Sequence, residues 1–512
     1  YFLSHIPGTT TAILFLHQNF IYMKQKLFFA VYCCTLVTLC MFLNNKAVAQ
    51  AYFAGAGAGT GNTGPNATGV GAFALSGGNT SYFNAAFGYK SLTKNTSGSI
   101  NTAIGAWSLS SNTGGSANTA IGMYSLLTNT IGGNNDGFGE ESLYNNKTGS
   151  YNVAIGSQAL YANVDASYNT ALGSISLAGN ITGQYNVALG TYALRYNTSG
   201  NYNTASGYQS LFRNITGSNN CAYGANSLYA LTGGNRNTAV GFGCIQNATT
   251  TYDNTVIGYA ALATATTGGF NTVVGSTAMQ NSSGGTANVA IGYQSLIANS
   301  NNYNTGIGTN TLMANSGQFN TATGYSTSLL NTSGNYNTSN GAYALYSNKA
   351  GNSNTGVGYY ALIHNKDGSN NIAMGDNAGA VYGFLNNCSF IGVHADAGHD
   401  SISNATALGY QAIVDSSNKV VIGNNAVTSI GGQVGWTTYS DQRLKTNVSK
   451  SKLGLDFILS LNPVTYNYKA EGQKNILYTG LIAQEVDAAA KKAGVVFSGV
   501  DKNGTYWGIR YA

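Results

Sequence analysis

Proline is almost missing from this sequence, with 3 in 512 residues, and charged side chains make up only 7% of it. Globular domains carry roughly 25% charge, so an ordinary split into several globular units is disfavoured. Disorder is disfavoured too, because disordered chains are poor in aromatics and this one has 36 Tyr and 19 Phe. The 68 glycines do not fall at every third position, which together with the scarcity of proline excludes a collagen helix. A net charge of +6 spread over this length is too dilute for a nucleic-acid partner. Cysteine is also sparse. Cys33, Cys34 and Cys40 lie in an apolar N-terminal run, and Cys221, Cys244 and Cys388 are scattered at spacings that fit neither a metal site nor a disulfide framework. The last three are expected to be small buried substitutes within a repeat. No metal or cofactor is expected: Asp367 and Asp376 are isolated, and the Gly-Gly-x-Gly-x-Asp calcium loop does not occur.

One apolar run stands out, and it is short. Lys24 and Lys26 precede Leu27–Leu43, and Ala47-Val48-Ala49 follow. A basic segment, an apolar segment and a small-residue site make a secretory signal peptide over residues 23–49, cleaved between Ala49 and Gln50. The run is shorter than the about 20 residues of a membrane span, so no span is expected in the mature chain. Residues 1–22, which begin with Tyr1, read as upstream translation outside the mature protein, and 50–70 as a leader.

What the sequence has in abundance is repetition. One glycine column runs Gly71, Gly88, Gly105, Gly122 and onward in steps of 17 to Gly292. Two steps of 16 reach Gly308 and Gly324, steps of 17 resume to Gly409, and a step of 14 ends at Gly423. Asn stands four residues before the glycine without interruption from Asn84 to Asn371, an aliphatic residue usually stands just before it, and Leu recurs four after it. Thr or Val commonly precedes Ala, the alternation of a strand with one buried face. Clusters such as Asn197-Thr198-Ser199-Gly200 supply the turns.

These features predict a mainly β chain whose residues 71–425 form a parallel β-solenoid of 17-residue coils. Fully extended, a coil would have a perimeter of ~56 Å, and the twenty steps from Gly71 to Gly409 would stack to roughly 96 Å. The Asn column is expected to form an amide ladder, and the glycine to need positive φ or a close backbone approach. Tyr and Phe five residues before the glycine (Tyr151, Tyr168, Tyr185, Tyr202, Phe270, Tyr303, Phe319, Tyr336) form either a sugar-stacking strip or a cross-coil ladder; the ladder is favoured because aromatic neighbours support sheets unaided. An ice-binding threonine array is disfavoured, because Val153, Val187 and Val289 interrupt the column. One coil encloses too little to stand alone, so stacking or trimerisation must bury the apolar columns. The Asn101-Thr102-Ala103-Ile104-Gly105 unit resembles head repeats of trimeric autotransporter adhesins, which implies a homotrimer of β-rolls. Those repeats are typically shorter than the coils expected here.

After Gly423 the repeat fades through a junction, residues 426–439, and at Ser440 the composition changes. Residues 440–512 hold ten Lys/Arg and six Asp/Glu. They read as a small α+β unit: a helix over Leu453–Leu461, strands at Val464–Tyr468 and Tyr478–Ile482, a helix over Ala483–Lys492 ending before Gly494, and a strand at Tyr506–Tyr511. Ser440 and Lys445 have two readings. They are a nucleophile with its base, or Ser440 is a helix N-cap and Lys445 a solvated surface residue.

Three segments decide between them: Ser440-Asp441-Gln442-Arg443-Leu444-Lys445-Thr446-Asn447-Val448, Leu461-Asn462-Pro463-Val464-Thr465-Tyr466 and Gly480-Leu481-Ile482-Ala483-Gln484-Glu485-Val486. In this order they resemble the self-cleaving intramolecular chaperone domain at the C-terminus of phage endosialidase tailspikes and many tail-fibre-like proteins. The resemblance implies Ser440 as nucleophile, Lys445 as its activator, cleavage between Tyr439 and Ser440, and support from Asp441, Arg443, Leu444, Asn447, Gln484 and Glu485. It also implies that assembly of three chains buries the lysine, and that a further helix follows the last strand; the sequence ends at Ala512, so the domain is expected to be truncated.

The function expected from all of this is an exported, surface-displayed or extracellular, trimeric adhesin or tail-fibre-like protein. Its partners are copies of itself and a surface glycan or host receptor. The alternative is a phage-type tailspike with glycan-binding or depolymerase activity. Depolymerisation would need paired carboxylates in a groove, whereas Glu140 and Glu141 read as neighbours on a strand, pointing to opposite faces.

Overall fold

The computed structural model describes residues 51–433, 439–451, 453–469, 474–502 and 506–510. The expected signal peptide, the residues before it and Trp436-Thr437-Thr438 of the junction lie outside these. Residues 52–423 form a β-solenoid whose main sheet has 23 parallel strands. Each strand is three residues long and pairs in register with the strand one coil on: Thr102, Ala103 and Ile104 lie beside Thr119, Ala120 and Ile121. At ~4.8 Å per strand the 22 intervals make a rod about 105 Å long. Coiling already begins at Tyr52–Ala54, which pairs with Thr68–Val70. Within the segment 50–70, expected to be a leader, the described residues from 51 onward therefore supply a first coil, in which Gly55 holds the position that Gly71 holds in the next. At the far end Asp396–Ala397 and Ile413–Val414 form a second small parallel pair.

The perimeter expected of a fully extended coil is an upper bound, because only a short stretch of each coil is strand. The remainder turns repeatedly through the left-handed region. In the coil of Gly105, φ is +61° at Ile100, +129° at Gly105, +63° at Trp107 and +48° at Leu109. A left-handed non-glycine residue costs roughly 1–2 kcal/mol. Leu109 is fully buried, and burying a leucine contributes about 1.5–3 kcal/mol, so the strain is offset where it occurs. The column glycine meets both expected conditions. At Gly88, φ is +138°, and a Cβ there would lie 2.5 Å from the Gly105 carbonyl oxygen of the next coil. Glu140 and Glu141 follow the strand Asp136–Phe138 in a turn, not on the strand where the sequence suggested them.

Inside the coils the small residue two before the glycine and the leucine four after it form the core. They act as a pair across coils, and in two coils both members change together. Ser328 replaces the leucine and Ser339 the alanine, and their hydroxyls meet at 2.8 Å. Gly379 replaces the leucine where Phe390 replaces the alanine; a Cβ on Gly379 would lie 2.8 Å from the Phe390 ring.

The polar core is a double amide ladder. In the expected column the Asn101 side-chain N–H donates to Asn84 Oδ1 (3.2 Å), as does the Asn101 backbone N–H (3.0 Å). A second column, not anticipated from sequence, links Asn95, Asn112, Asn129 and Asn146 in the same way at 2.8 Å per step. It stops after Asn214, where the next coil has Leu231, and finally at Asn365, where the next has Tyr382; the Oδ1 atoms of Asn214 and Asn365 are left without a partner. The aromatic ladder is present outside. Tyr151, Tyr168, Tyr185 and Tyr202 stack with centroids 4.9–5.0 Å apart and interplanar angles of 1–3°. Among the cysteines, Cys244 and Cys388 are buried as expected, but Cys221 is only half-buried. It takes the outward strand position that threonine holds in neighbouring coils, Thr204 and Thr238.

In the C-terminal unit the helices are α1 (Leu455–Leu459) and α2 (Ala483–Lys492), the second with the bounds read from the sequence. Val464–Tyr466 pairs antiparallel with Tyr478–Gly480. Val500–Asp501, not anticipated, pairs with Gly508–Ile509. Phe457, Ala483, Val486, Ala490 and Val500 form its small core.

Candidate functional site: the Ser440–Lys445 turn

A single 3-10 turn, Gln442–Leu444, separates Ser440 from Lys445. Both Ser and Asp are good caps, and here Asp441 takes the role: its carboxylate accepts the Arg443 backbone N–H at 2.8 Å. The reading of Ser440 as an N-cap is thereby corrected. The Arg443 guanidinium closes back on the same carboxylate, Nη2 to Oδ2 at 2.7 Å and Nε to Oδ1 at 3.1 Å. That bidentate contact holds the Asp441 carboxyl below the usual carboxylate range and raises the guanidinium.

With Asp441 occupied in this way, the Ser440 hydroxyl is left to Lys445. Lys445 Nζ donates to Ser440 Oγ at 2.5 Å. The turn is what makes the meeting possible, since a fully extended chain would hold residues five apart at a separation of roughly 16 Å. Among the described residues, the side-chain bonds of Ser440, Asp441, Arg443 and Lys445 stay within the motif. All four residues are exposed in the single chain, as are Tyr439, Leu444 and Asn447. Asn447 adopts φ +56°, which turns the chain just after the motif.

The other two motifs meet each other. Asn462 Nδ2 donates to Glu485 Oε2 at 3.3 Å, and the strand after Pro463 pairs with the strand that leads into α2. Gln484, in the first turn of α2, lines a hollow with Tyr466, Tyr468 and Trp507. Among the described residues no group of three or more His, Cys, Asp or Glu is placed to hold a metal.

A residue that sequence reading passed over lies at the end of the rod. Asp396 occupies the buried leucine position, four after Gly392, and is 4% exposed. The signal was available, as a charge in a column otherwise filled by Leu, Ile, Met, Ser or Gly. Burial pushes its carboxyl up to about 6, against the pull of backbone N–H donors at Ala397, Val381 and Ala380 and of His394.

No helix among the described residues is long and apolar enough to cross a membrane. No curated protein matches this chain. Residues 440–495, which open on Ser440 and run through Gln484 and Glu485 at the end of the long repeat region, match the family model described as the chaperone of endosialidase.

Proposed function

We propose that this chain is one protomer of a secreted or surface-displayed trimeric fibre, an adhesin or tail-fibre-like protein. Its C-terminal domain templates the assembly of the rod and then cuts itself off between Tyr439 and Ser440. The observation that carries this reading is the 2.5 Å contact of Lys445 Nζ with Ser440 Oγ, at the first residues of the segment that matches the chaperone family.

The chemistry follows from the position of the serine. Ser440 Oγ attacks the carbonyl carbon of Tyr439, the residue just before it, while Lys445 takes the hydroxyl proton. The tetrahedral intermediate collapses by breaking the bond between the Tyr439 carbonyl carbon and the Ser440 nitrogen; that nitrogen takes the proton from Lys445 and stays on Ser440 as its α-amine, leaving an ester between Tyr439 and Ser440 Oγ. Water hydrolyses the ester to a Tyr439 carboxylate and a chain beginning with Ser440. Lysine can act as the base only in its neutral form, which desolvation favours. Lys445 is exposed in the single chain. The cut therefore awaits burial by neighbouring protomers, and so reports completed assembly.

Trimerisation is supported by the apolar surface of the lone chain. The residue just before each column glycine points outward, and Ile155, Leu172, Ile257, Ile291 and Leu408 are each 37–47% exposed along the rod. In the C-terminal unit Leu455, Leu459 and Leu477 are largely exposed as well. Long apolar stripes of this kind mark association surfaces. Once the chaperone is removed, the rod has lost its template, and unfolding becomes governed by rate rather than equilibrium.

The test is to express residues 23–512 with any natural C-terminal extension, and to compare boiled and unboiled samples on denaturing gels. The expected product is an unboiled oligomer whose separated C-terminal fragment has Ser440 at its N-terminus. Ser440→Ala should block the cut and leave the oligomer. An intact chain in an assembled wild-type oligomer would sink the dyad, and a monomeric product would sink the fibre.

A further inference from the structure

The buried column four residues after each column glycine carries no charge along the rod until it reaches Asp396. There the rod carries an open groove of about 720 Å³, lined among others by Asn377, Tyr382, His394, Asp396, Gln411 and Asn424. We propose that this groove binds a linear, uncharged glycan, with its hydroxyl groups on Asn377, His394, Gln411 and Asp396. The proposal rests on the reading of the rod as a display surface and deepens it by naming a site and a ligand class.

Three observations carry it. First, Asn377, His394 and Gln411 occupy the same register, each two residues after a column glycine, on three successive coils. Strand stacking spaces them at ~4.8 Å, giving a row of amide, imidazole and amide along the rod axis. Such a row offers both donors and acceptors to a polyhydroxylated chain lying parallel to the axis.

Second, a charge stands on the groove wall where the repeat ordinarily places leucine. Asp396 Oδ2 accepts the Val381 N–H at 3.0 Å, and Oδ1 accepts the Ala397 N–H at 2.7 Å. These bonds shape the turn that follows Gly379, where the second amide ladder has ended. They use only part of the acceptor capacity of a carboxylate, which has about four lone-pair sites. The remainder can accept from ligand hydroxyls. A buried carboxylate in a cleft with convergent polar groups is the physical signature of a binding site.

Third, the groove selects against anions. Among its described lining residues none is lysine or arginine and His394 is the one basic side chain, so an acidic sugar would meet the Asp396 carboxylate with no permanently charged cation to compensate. The Tyr382 ring stands at the edge, its hydroxyl tied to the Gly398 carbonyl at 2.9 Å. It can contribute an apolar face to a sugar ring while its polar tip is already satisfied. A single buried carboxylate does not supply the pair that glycosidases use, so the site binds without cutting.

The experiment applies the intact protein to immobilised neutral oligosaccharides (gluco-, manno- and galacto-oligomers) and to their uronate and sialylated counterparts. At least one neutral series should bind. Gln411→Ala and Asn377→Ala, which remove side chains outside the core, should each weaken it about tenfold or more. Asp396→Leu installs the residue usual in the column and should also abolish binding. The proposal is overturned if no neutral oligomer binds at millimolar concentration, if acidic ones are preferred, or if both alanine variants bind as well as wild type. Assembly and cleavage on gels are read independently, so loss of the groove would leave the fibre reading standing.

Discussion

The side-chain amides of Asn101 and Asn112 donate to one and the same acceptor, the carbonyl oxygen of Gly115, each at 2.9 Å. They belong to different columns, so the two amide ladders are tied together at a turn carbonyl. The arrangement recurs at Gly132, which accepts from Asn118 and Asn129. A narrow interior cannot admit water to these turns, and the amides take its place. Each of these asparagines donates twice and accepts from a neighbouring coil, which explains why a buried polar residue is repeated so faithfully.

Removing one rung should therefore cost more within a ladder than at its end. Asn112→Ala strands Asn95 Oδ1 and deprives Asn129 of its acceptor. At about 1–3 kcal/mol for each of the two buried groups left unpaired, the expected loss is roughly 2–6 kcal/mol. Asn214 already has no donor for its Oδ1, so Asn214→Ala strands only the groups its own amide served. Amide hydrogen exchange on the two variants should show the larger loss of protection around Gly115 and the smaller around Gly217. Equal losses would mean that the ladder is not cooperative.

The pair Gly379 and Phe390 makes a second prediction. Phe390→Ala alone leaves a cavity and should destabilise the end of the rod by about 3–5 kcal/mol. Gly379→Leu alone drives a side chain into the Phe390 ring and should also destabilise. Together they rebuild the leucine–alanine pair of the ordinary coil, and φ at Gly379, +58°, is close to the +54° of Leu362 in the preceding coil. The double variant should recover most of the loss. Thermal unfolding of all four proteins closes the cycle, and additive losses would contradict size exchange as the cause.

Much of this rod was legible because stacking identical coils turns a structural need into a column of identical residues. The glycine column marks a backbone approach that no Cβ tolerates, and the Asn84–Asn371 column marks a ladder. The second ladder was hidden for a physical reason. Asn95, Asn112 and their successors sit among the Ser, Thr and Gly of the turns, where asparagine is common anyway, and Leu231, Ala248 and Ala265 interrupt them. At the site, the spacing of Ser440 and Lys445 left both readings open and the three motifs chose between them, whereas the identity of the cap could not be read. Asp441 wins it because Arg443 gives that carboxylate both a backbone and a guanidinium donor. The strand Val500–Asp501 is too short to carry an alternation that could be detected.

Asp396 predicts an unusual dependence of stability on pH. Its carboxyl is raised to about 6 in the fold, chiefly by burial, from an ordinary value near 3.8. A raised carboxyl binds its proton more tightly folded than unfolded. The stability it contributes is therefore fully present below about pH 4 and is lost as pH rises through about 6. That difference corresponds to roughly 3 kcal/mol. Asp253, Asp441 and Asp487 are shifted the other way by their Arg or Lys partners, and their contributions are lost only as pH falls below about 4. Between pH 4 and 7 the carboxyl of Asp396 thus sets the slope, with His394 pulling its value down against the effect of burial. The rod should melt at higher temperature at pH 4.5 than at pH 7. Asp396→Asn should flatten that slope, even if its amide, which cannot accept both backbone N–H bonds, lowers the melting temperature throughout. A wild-type melting temperature that rises from pH 4.5 to 7, or a slope unchanged in Asp396→Asn, would show that the proton resides elsewhere.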